Sequence, residues 1–127
     1  MGLILDTNAL SAIADAEPHA SAQFVKARRA AIPVIVLGEY RFGIAQSRNK
    51  KSYERWLAEL VSVCDVFVLD EETAIRYAEL RGELKRAGTP IPSNDLWIAA
   101  LARQHALPVL TRDRHFDLVK GLRRLDW

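Results

Sequence analysis

The chain has 127 residues, of which 50% are hydrophobic and 27% charged, with a formal net charge of +2 and a pI near 8.9. That length buries roughly two-thirds of the unfolded surface in one domain, and that balance excludes a disordered chain and a membrane-embedded one. The small charge excludes capture of nucleic acid by polybasic attraction alone, and the single cysteine, Cys64, excludes an internal disulfide and a multi-cysteine metal site.

The first expected strand, Leu3 to Leu5, is cut at Asp6 and has no basic segment before it. Neither a signal peptide nor a membrane span is therefore expected, and a cytoplasmic location is. A helix begins near Asn8. The apolar run Pro33 to Val36 is the second expected strand, followed by a helix over Leu37 to Gln46, a polar loop over Ser47 to Lys51 and a helix over Ser52 to Val61. Val63 to Leu69, rich in β-branched residues, is the third strand, with Cys64 as a small buried hydrophobe. Asp70 is a natural N-cap for the clearest helix, Glu71 to Ala87, where Tyr77, Leu80 and Leu84 fall on one face and Gly88 ends it. After a loop over Gly88 to Pro92, Leu96 to Ala106 is apolar nearly all round and reads as a helix packed on both sides. Pro108 to Leu110 is the fourth strand, and Arg124 to Trp127 a weaker fifth. Strands alternating with helices predict an α/β fold, because parallel strands need crossovers and helices supply them. The expected form is a three-layer α/β/α sandwich with a mostly parallel sheet of four to five strands, in one domain over residues 1–127.

In such sheets, sites form beyond the carboxyl ends of the strands. The residues there are acidic: Asp6 directly after the first strand, Glu39 after Val36, and Asp113 after Leu110, with Asp95 in the first turn of the buried helix. Singly, each has an ordinary role. Asp6 would cap a helix, Glu39 would be a solvated helical residue, Asp95 a partner of the helix dipole and Asp113 a turn residue. Together they would converge, and converging carboxylates repel unless a cation neutralises them. Hard oxygen ligands select Mg2+ or Mn2+, and an acidic pocket holding such ions hydrolyses phosphodiesters through metal-activated water. The acids therefore point to a metal-dependent nuclease.

The segments LILDTNAL, GEYRFG, PSNDLWIAALA and LTRDRHFDLVKGL, in that order and spanning nearly the whole chain, resemble PIN-domain proteins of the VapC toxin type. The family's pattern is met by Asp6 in D-T-N, by Glu39 with Gly43, by Asp95 with Ile98-Ala99-Ala100, and by Thr111, Asp113 and Phe116. The resemblance implies an endoribonuclease dependent on Mg2+ or Mn2+ that cuts RNA, inhibits translation, and is silenced by a VapB-like antitoxin encoded beside it. It further implies that Asp6, Glu39, Asp95 and Asp113 are the catalytic metal-site acids, with Thr7, Asn8 and Thr111 orienting them. A homodimer that joins the antitoxin in a larger assembly is also implied. Several relatives place a further acid where this chain has His115.

Arg41, Arg112 and Arg114, with Arg48, Lys50 and Lys51, are candidate phosphate contacts. His115 is either a phosphate contact or a partly buried structural histidine, and His19 and His105 are surface residues. Trp56, Trp97 and Trp127 are core or interface anchors before they are base-stacking platforms. Competing readings fit less well. A haloacid-dehalogenase-type phosphatase needs a second acid where Asn8 stands, a receiver domain needs adjacent early acids and a late lysine, and the G-x-G-x-x-G and P-loop patterns are absent. The alternatives that remain are a PIN nuclease of RNA processing and a module that binds RNA or protein without cutting, although a pure binder gains nothing by presenting four carboxylates to a polyanion.

Overall fold

The computed structural model describes residues Gly2–Trp127. Its centre is the first apolar run. Strand β1 (Gly2–Leu5) buries Leu3, Ile4 and Leu5, as expected of a strand covered on both faces. Asp6 ends the strand and starts helix α1 (Thr7–Ala14). Helix α2 (Pro18–Lys26) follows, with Pro18 at its first position and the Glu17 side chain accepting from the Ala20 amide. Strand β2 (Arg29–Pro33) lies parallel to β1, pairing Leu3 with Ala30 and Ile4 with Ala31. Helices α3 (Val34–Ala45) and α4 (Lys50–Val63) lead to the short strand β3 (Asp65–Phe67) on the sheet edge. Helices α5 (Glu71–Arg86) and α6 (Ser93–His105) then cross back to strand β4 (Val109–Leu110) on the other side of β1. A 3-10 helix (Arg114–Leu118) and strand β5 (Arg124–Leu125) complete the chain.

The five strands are all parallel, in the order β3-β2-β1-β4-β5. From β1 the chain steps outward through β2 to β3, then returns past β1 to β4. Right-handed crossovers in opposite directions place α1 to α4 on one face and α5 and α6 on the other, the three layers expected. The reversal occurs between β1 and β4, and that is where an open parallel sheet forms its crevice.

Two expected elements are placed differently. Pro33 to Val36 is not a strand: β2 is the preceding Arg29–Pro33, and Val34 opens α3. The alanines Ala30 and Ala31 are weak strand formers, yet with Ile32 they are buried beside β1, so tertiary pairing overrides local preference. Pro33 lacks an amide hydrogen and suits a helix boundary, which is the position it takes. The third strand also shortens, because α4 runs on through Val63 and includes Lys50 and Lys51 of the expected loop. Cys64 is half-buried rather than fully buried, packed against the core.

Elsewhere local chemistry and structure agree. Asp70 and Thr73 form a reciprocal capping box at the start of α5. At its end Gly88 takes φ +72°, with its amide donating to Lys85 O and the Thr89 amide to Leu84 O, a Schellman closure. Helix α6 buries Leu96, Ile98, Ala99, Ala100, Leu101 and Ala102, the near-complete apolar circumference its sequence predicts. Among the described residues no helix is long and apolar enough to cross a membrane.

Candidate active site

The register of β1 against β4 pairs Leu5 with Leu110, so the residues that follow, Asp6 and Thr111, emerge side by side. The Asp6 amide donates to Leu110 O at 3.2 Å, and the Thr111 hydroxyl donates to Asp6 Oδ2 at 2.7 Å. The other Asp6 oxygen accepts from the Thr7 amide at 2.8 Å. Asp6 therefore caps α1 from the sheet's reversal point, with its carboxylate held between Thr7 and Thr111.

Thr111 is fully buried and uses its hydroxyl three ways. It donates to Asp6, and it accepts from Asn8 Nδ2 at 3.2 Å and from the Asp113 amide at 2.9 Å. Asn8 Oδ1 in turn accepts from the Arg112 amide. Thr7 donates its hydroxyl to Glu39 Oε1 at 3.0 Å, which ties α1 to the second turn of α3. Thr7, Asn8 and Thr111 thus hold the loops that carry the acids, the kind of supporting contact that fixes a site's geometry.

Asp95 lies in the first turn of α6, where the helix dipole tolerates a negative charge. Asp113 caps the 3-10 helix by accepting from the His115 amide at 2.9 Å. His115 sits between them, its Nδ1 at 2.9 Å from Asp95 Oδ2 and 3.0 Å from Asp113 Oδ1. The histidine was expected either to contact phosphate or to be partly buried. It is 48% exposed and bridges the two acids.

The electrostatics carry the mark of convergence. Burial pushes the Asp6 carboxyl up to about 6, and the nearby charges of Asp95 and Glu39 add to the rise, against the lowering effect of the Thr111 and Thr7 hydrogen bonds. Burial also raises Asp95, with the His115 contact opposing it. His115 is raised in its turn, chiefly by its hydrogen bond to Asp95. Carboxylates held this close are eased by a neighbouring cation. One oxygen each from Asp95 and Asp113 and a ring nitrogen of His115 all lie within 4.8 Å of one another, so the donors present fit a divalent ion. Asp6 borders this trio through the charge of Asp95, and Thr7 joins Asp6 to Glu39.

The candidate RNA contacts are distributed unevenly. Arg41 and Arg114 are exposed and make no ion pair among the described residues. Arg112 turns away from the acids: its guanidinium lies 4.7 Å from the Trp127 ring centroid, Nη2 donates to Trp127 O at 2.8 Å, and Nε is 3.7 Å from Asp126. Trp56 packs edge-on to Tyr40 and Trp97 stacks on Tyr77, so all three tryptophans have protein partners. Arg124 is a supporting residue that the sequence does not single out. Only 13% exposed, it pairs with Asp117 and Asp126 and donates to Thr111 O at 3.1 Å, so it braces the loop that carries Asp113. The only hint in sequence is the flanking pair of acids, because one arginine of the Arg123-Arg124 pair looks like the other until β5 sets its register.

The PIN domain model matches residues 3–122. The chain is 39% identical over 95 residues to "Ribonuclease VapC5" of Mycobacterium tuberculosis, covering 73% of this chain and 70% of that one. It is 32% identical over 131 residues to "tRNA(fMet)-specific endonuclease VapC" of Salmonella typhimurium, covering 98% and 96%. Among solved structures it is similar to VapBC2 from Rickettsia felis bound to a DNA fragment from its promoter, with a TM-score of 0.88 at 26% identity over 100% of this chain and 99% of that one. The DNA-bound VapBC of Salmonella typhimurium gives a TM-score of 0.87 at 30% identity, covering 100% and 98%. With the family model spanning nearly the whole fold and relatives this similar along it, the chain belongs to the PIN domain family, on its VapC branch.

Proposed function

We propose that this chain is a metal-dependent endoribonuclease and the toxin of a type II toxin–antitoxin pair, with Asp6, Glu39, Asp95 and Asp113 as its catalytic acids. The carrying observation is the gathering of these acids at the sheet's reversal point, where burial, with the charges of Asp95 and Glu39, pushes the Asp6 carboxyl up to about 6. The names of the relatives, ribonucleases and endonucleases of the VapC type, support the reaction class. The VapBC neighbours support a VapB-like antitoxin as partner.

Asp95 and Asp113 are the primary holders of a Mg2+ or Mn2+ ion, with Asp6 and Glu39 completing the acidic wall. When bound, the ion supplies Lewis acidity, lowering the pKa of the attacking water and neutralising charge on the phosphate. The protein does the rest by position. Thr111 orients the Asp6 carboxylate, Thr7 fixes Glu39 against α1, and Arg41 and Arg114 offer cations to the flanking RNA phosphates. The activity resides in one PIN domain over residues 1–127 and operates in the cytoplasm. A homodimer is supported by exposed apolar side chains at Phe42 of α3 and at Val63, Val66 and Val68 around the β3 edge.

The test is cleavage of a single-stranded RNA panel by the purified chain. Cleavage should stop in EDTA and return with Mn2+, and an Asp6→Asn, Asp95→Asn double variant should be inactive. Cleavage by that variant at the parent rate would overturn the assignment.

A further inference from the structure

We propose that His115 supplies a nitrogen ligand, through Nδ1, to the ion held by Asp95 and Asp113, making a mixed oxygen–nitrogen site that takes Mn2+ in preference to Mg2+. The inference rests on the metal-site reading above and concerns which atoms complete it. Nδ1 lies 2.9 Å from Asp95 Oδ2 and 3.0 Å from Asp113 Oδ1. Neighbouring ligands of an octahedral ion with bonds of about 2.1 Å are about 3 Å apart, the bond length multiplied by the square root of two. The imidazole nitrogen therefore stands from each carboxylate at the spacing of an adjacent ligand.

The ring is delivered by a fixed piece of backbone. The His115 amide is bound by Asp113, and the next residue, Phe116, is completely buried, anchoring the 3-10 helix in the core. The two spacings also suit an N–H shared between the carboxylates. When the ion enters, that proton leaves to solvent and the nitrogen lone pair takes its place, as metal binding to histidine requires. Imidazole shifts selectivity because Mg2+ is bound almost wholly by oxygen, whereas later divalent ions accept nitrogen.

Mn2+ itself is the probe, added to the metal-free full chain. Pulsed paramagnetic resonance should detect 14N modulation from a directly bound imidazole, and His115→Ala and His115→Gln should both abolish it. Calorimetry should show Mn2+ affinity falling about tenfold in both variants while Mg2+ affinity changes less than about twofold. Because His115 is half-exposed, both variants keep the fold, which circular dichroism checks. Absence of 14N modulation in the wild type, with Mn2+ affinity unchanged in both variants, would overturn the inference. If in that case Asp95→Asn still loses Mn2+, the acid site stands and His115 is only a hydrogen-bond donor. If Asp95→Asn and Asp113→Asn also bind Mn2+ like the wild type, the metal-site reading itself fails.

Discussion

Asp6 shows how much of this molecule turns on single atoms. Its folded pKa, about 6, lies above the ordinary 3.8, so between those values the native chain holds a proton that the unfolded chain has released. Stability must then fall as pH rises through that window, and the penalty is complete above it. A shift of this size corresponds to about 3 kcal/mol at most. Without metal, wild type should therefore lose stability relative to Asp6→Asn between about pH 4 and about pH 7, measured by urea unfolding in EDTA. A gap between the two proteins that stays constant across that range would contradict the burial argument. Thr111 gives a second prediction. Thr111→Val keeps the shape but strands the Asp6 oxygen, the Asn8 amide and the Asp113 amide, costing about 2–3 kcal/mol. Thr111→Ser keeps the hydroxyl and should cost only about 1 kcal/mol. A loss for Thr111→Val no greater than that for Thr111→Ser, measured by chemical denaturation, would mean that the hydroxyl contributes no more than the methyl group does. Asp6, Asp95, Asp113 and Thr111 were legible in the sequence because each follows an apolar run closely or stands at the start of a helix, whereas Glu39, in the second turn of α3, stood out only by its place a few residues after Val36. The bridging position of His115 was not, because it depends on a 3-10 turn that only Asp113 and Phe116 together define.

At the level of elements, the helices with chemical stops were the readable ones. Asp70 and Gly88 bracket α5 as capping predicts, and Asp6 starts α1. Strand β2 was missed because Ala30 and Ala31 carry no strand signal of their own and are held by pairing with β1, a contact between residues distant in sequence. Helix α2 was missed because its start at Pro18 follows a three-residue connection after α1, with little apolar periodicity to mark it; only Ala20 is buried. Helix α6 closes like α5, with the Ala106 amide donating to Arg103 O and the Leu107 amide to Ala102 O. The left-handed position is filled by Ala106, at φ 54°, instead of glycine. A β-carbon there is strained. Ala106→Gly should stabilise the protein by about 0.5–1 kcal/mol after the greater entropy of an unfolded glycine is deducted. A melting temperature unchanged or lowered by that substitution would show that the closure is relaxed already.

Across the whole molecule, the sheet order explains why acids from four separate stretches of chain meet. The chain reverses at β1 and β4, so the residue after β1 and the loop after β4 share one crevice, with α3 and α6 bringing Glu39 and Asp95 to its rim. The order of strands was not readable from sequence, since alternation gives parallel strands without saying which are neighbours. On the proposed reading, this convergence strains the free protein and a metal ion relieves it. Melting curves of wild type and Asp95→Asn at neutral pH, in EDTA and in Mn2+, test it most directly. In EDTA the variant should melt higher, because a desolvated carboxylate has been replaced by a neutral group of the same shape. With Mn2+ at about 100 times its dissociation constant, the wild type should gain about 2.7 kcal/mol, or about 10 °C, and overtake a variant that gains little. If Asp95→Asn melts lower than wild type in EDTA and the two gain equally from Mn2+, Asp95 is only a partner of the α6 dipole and the acids do not form a metal site.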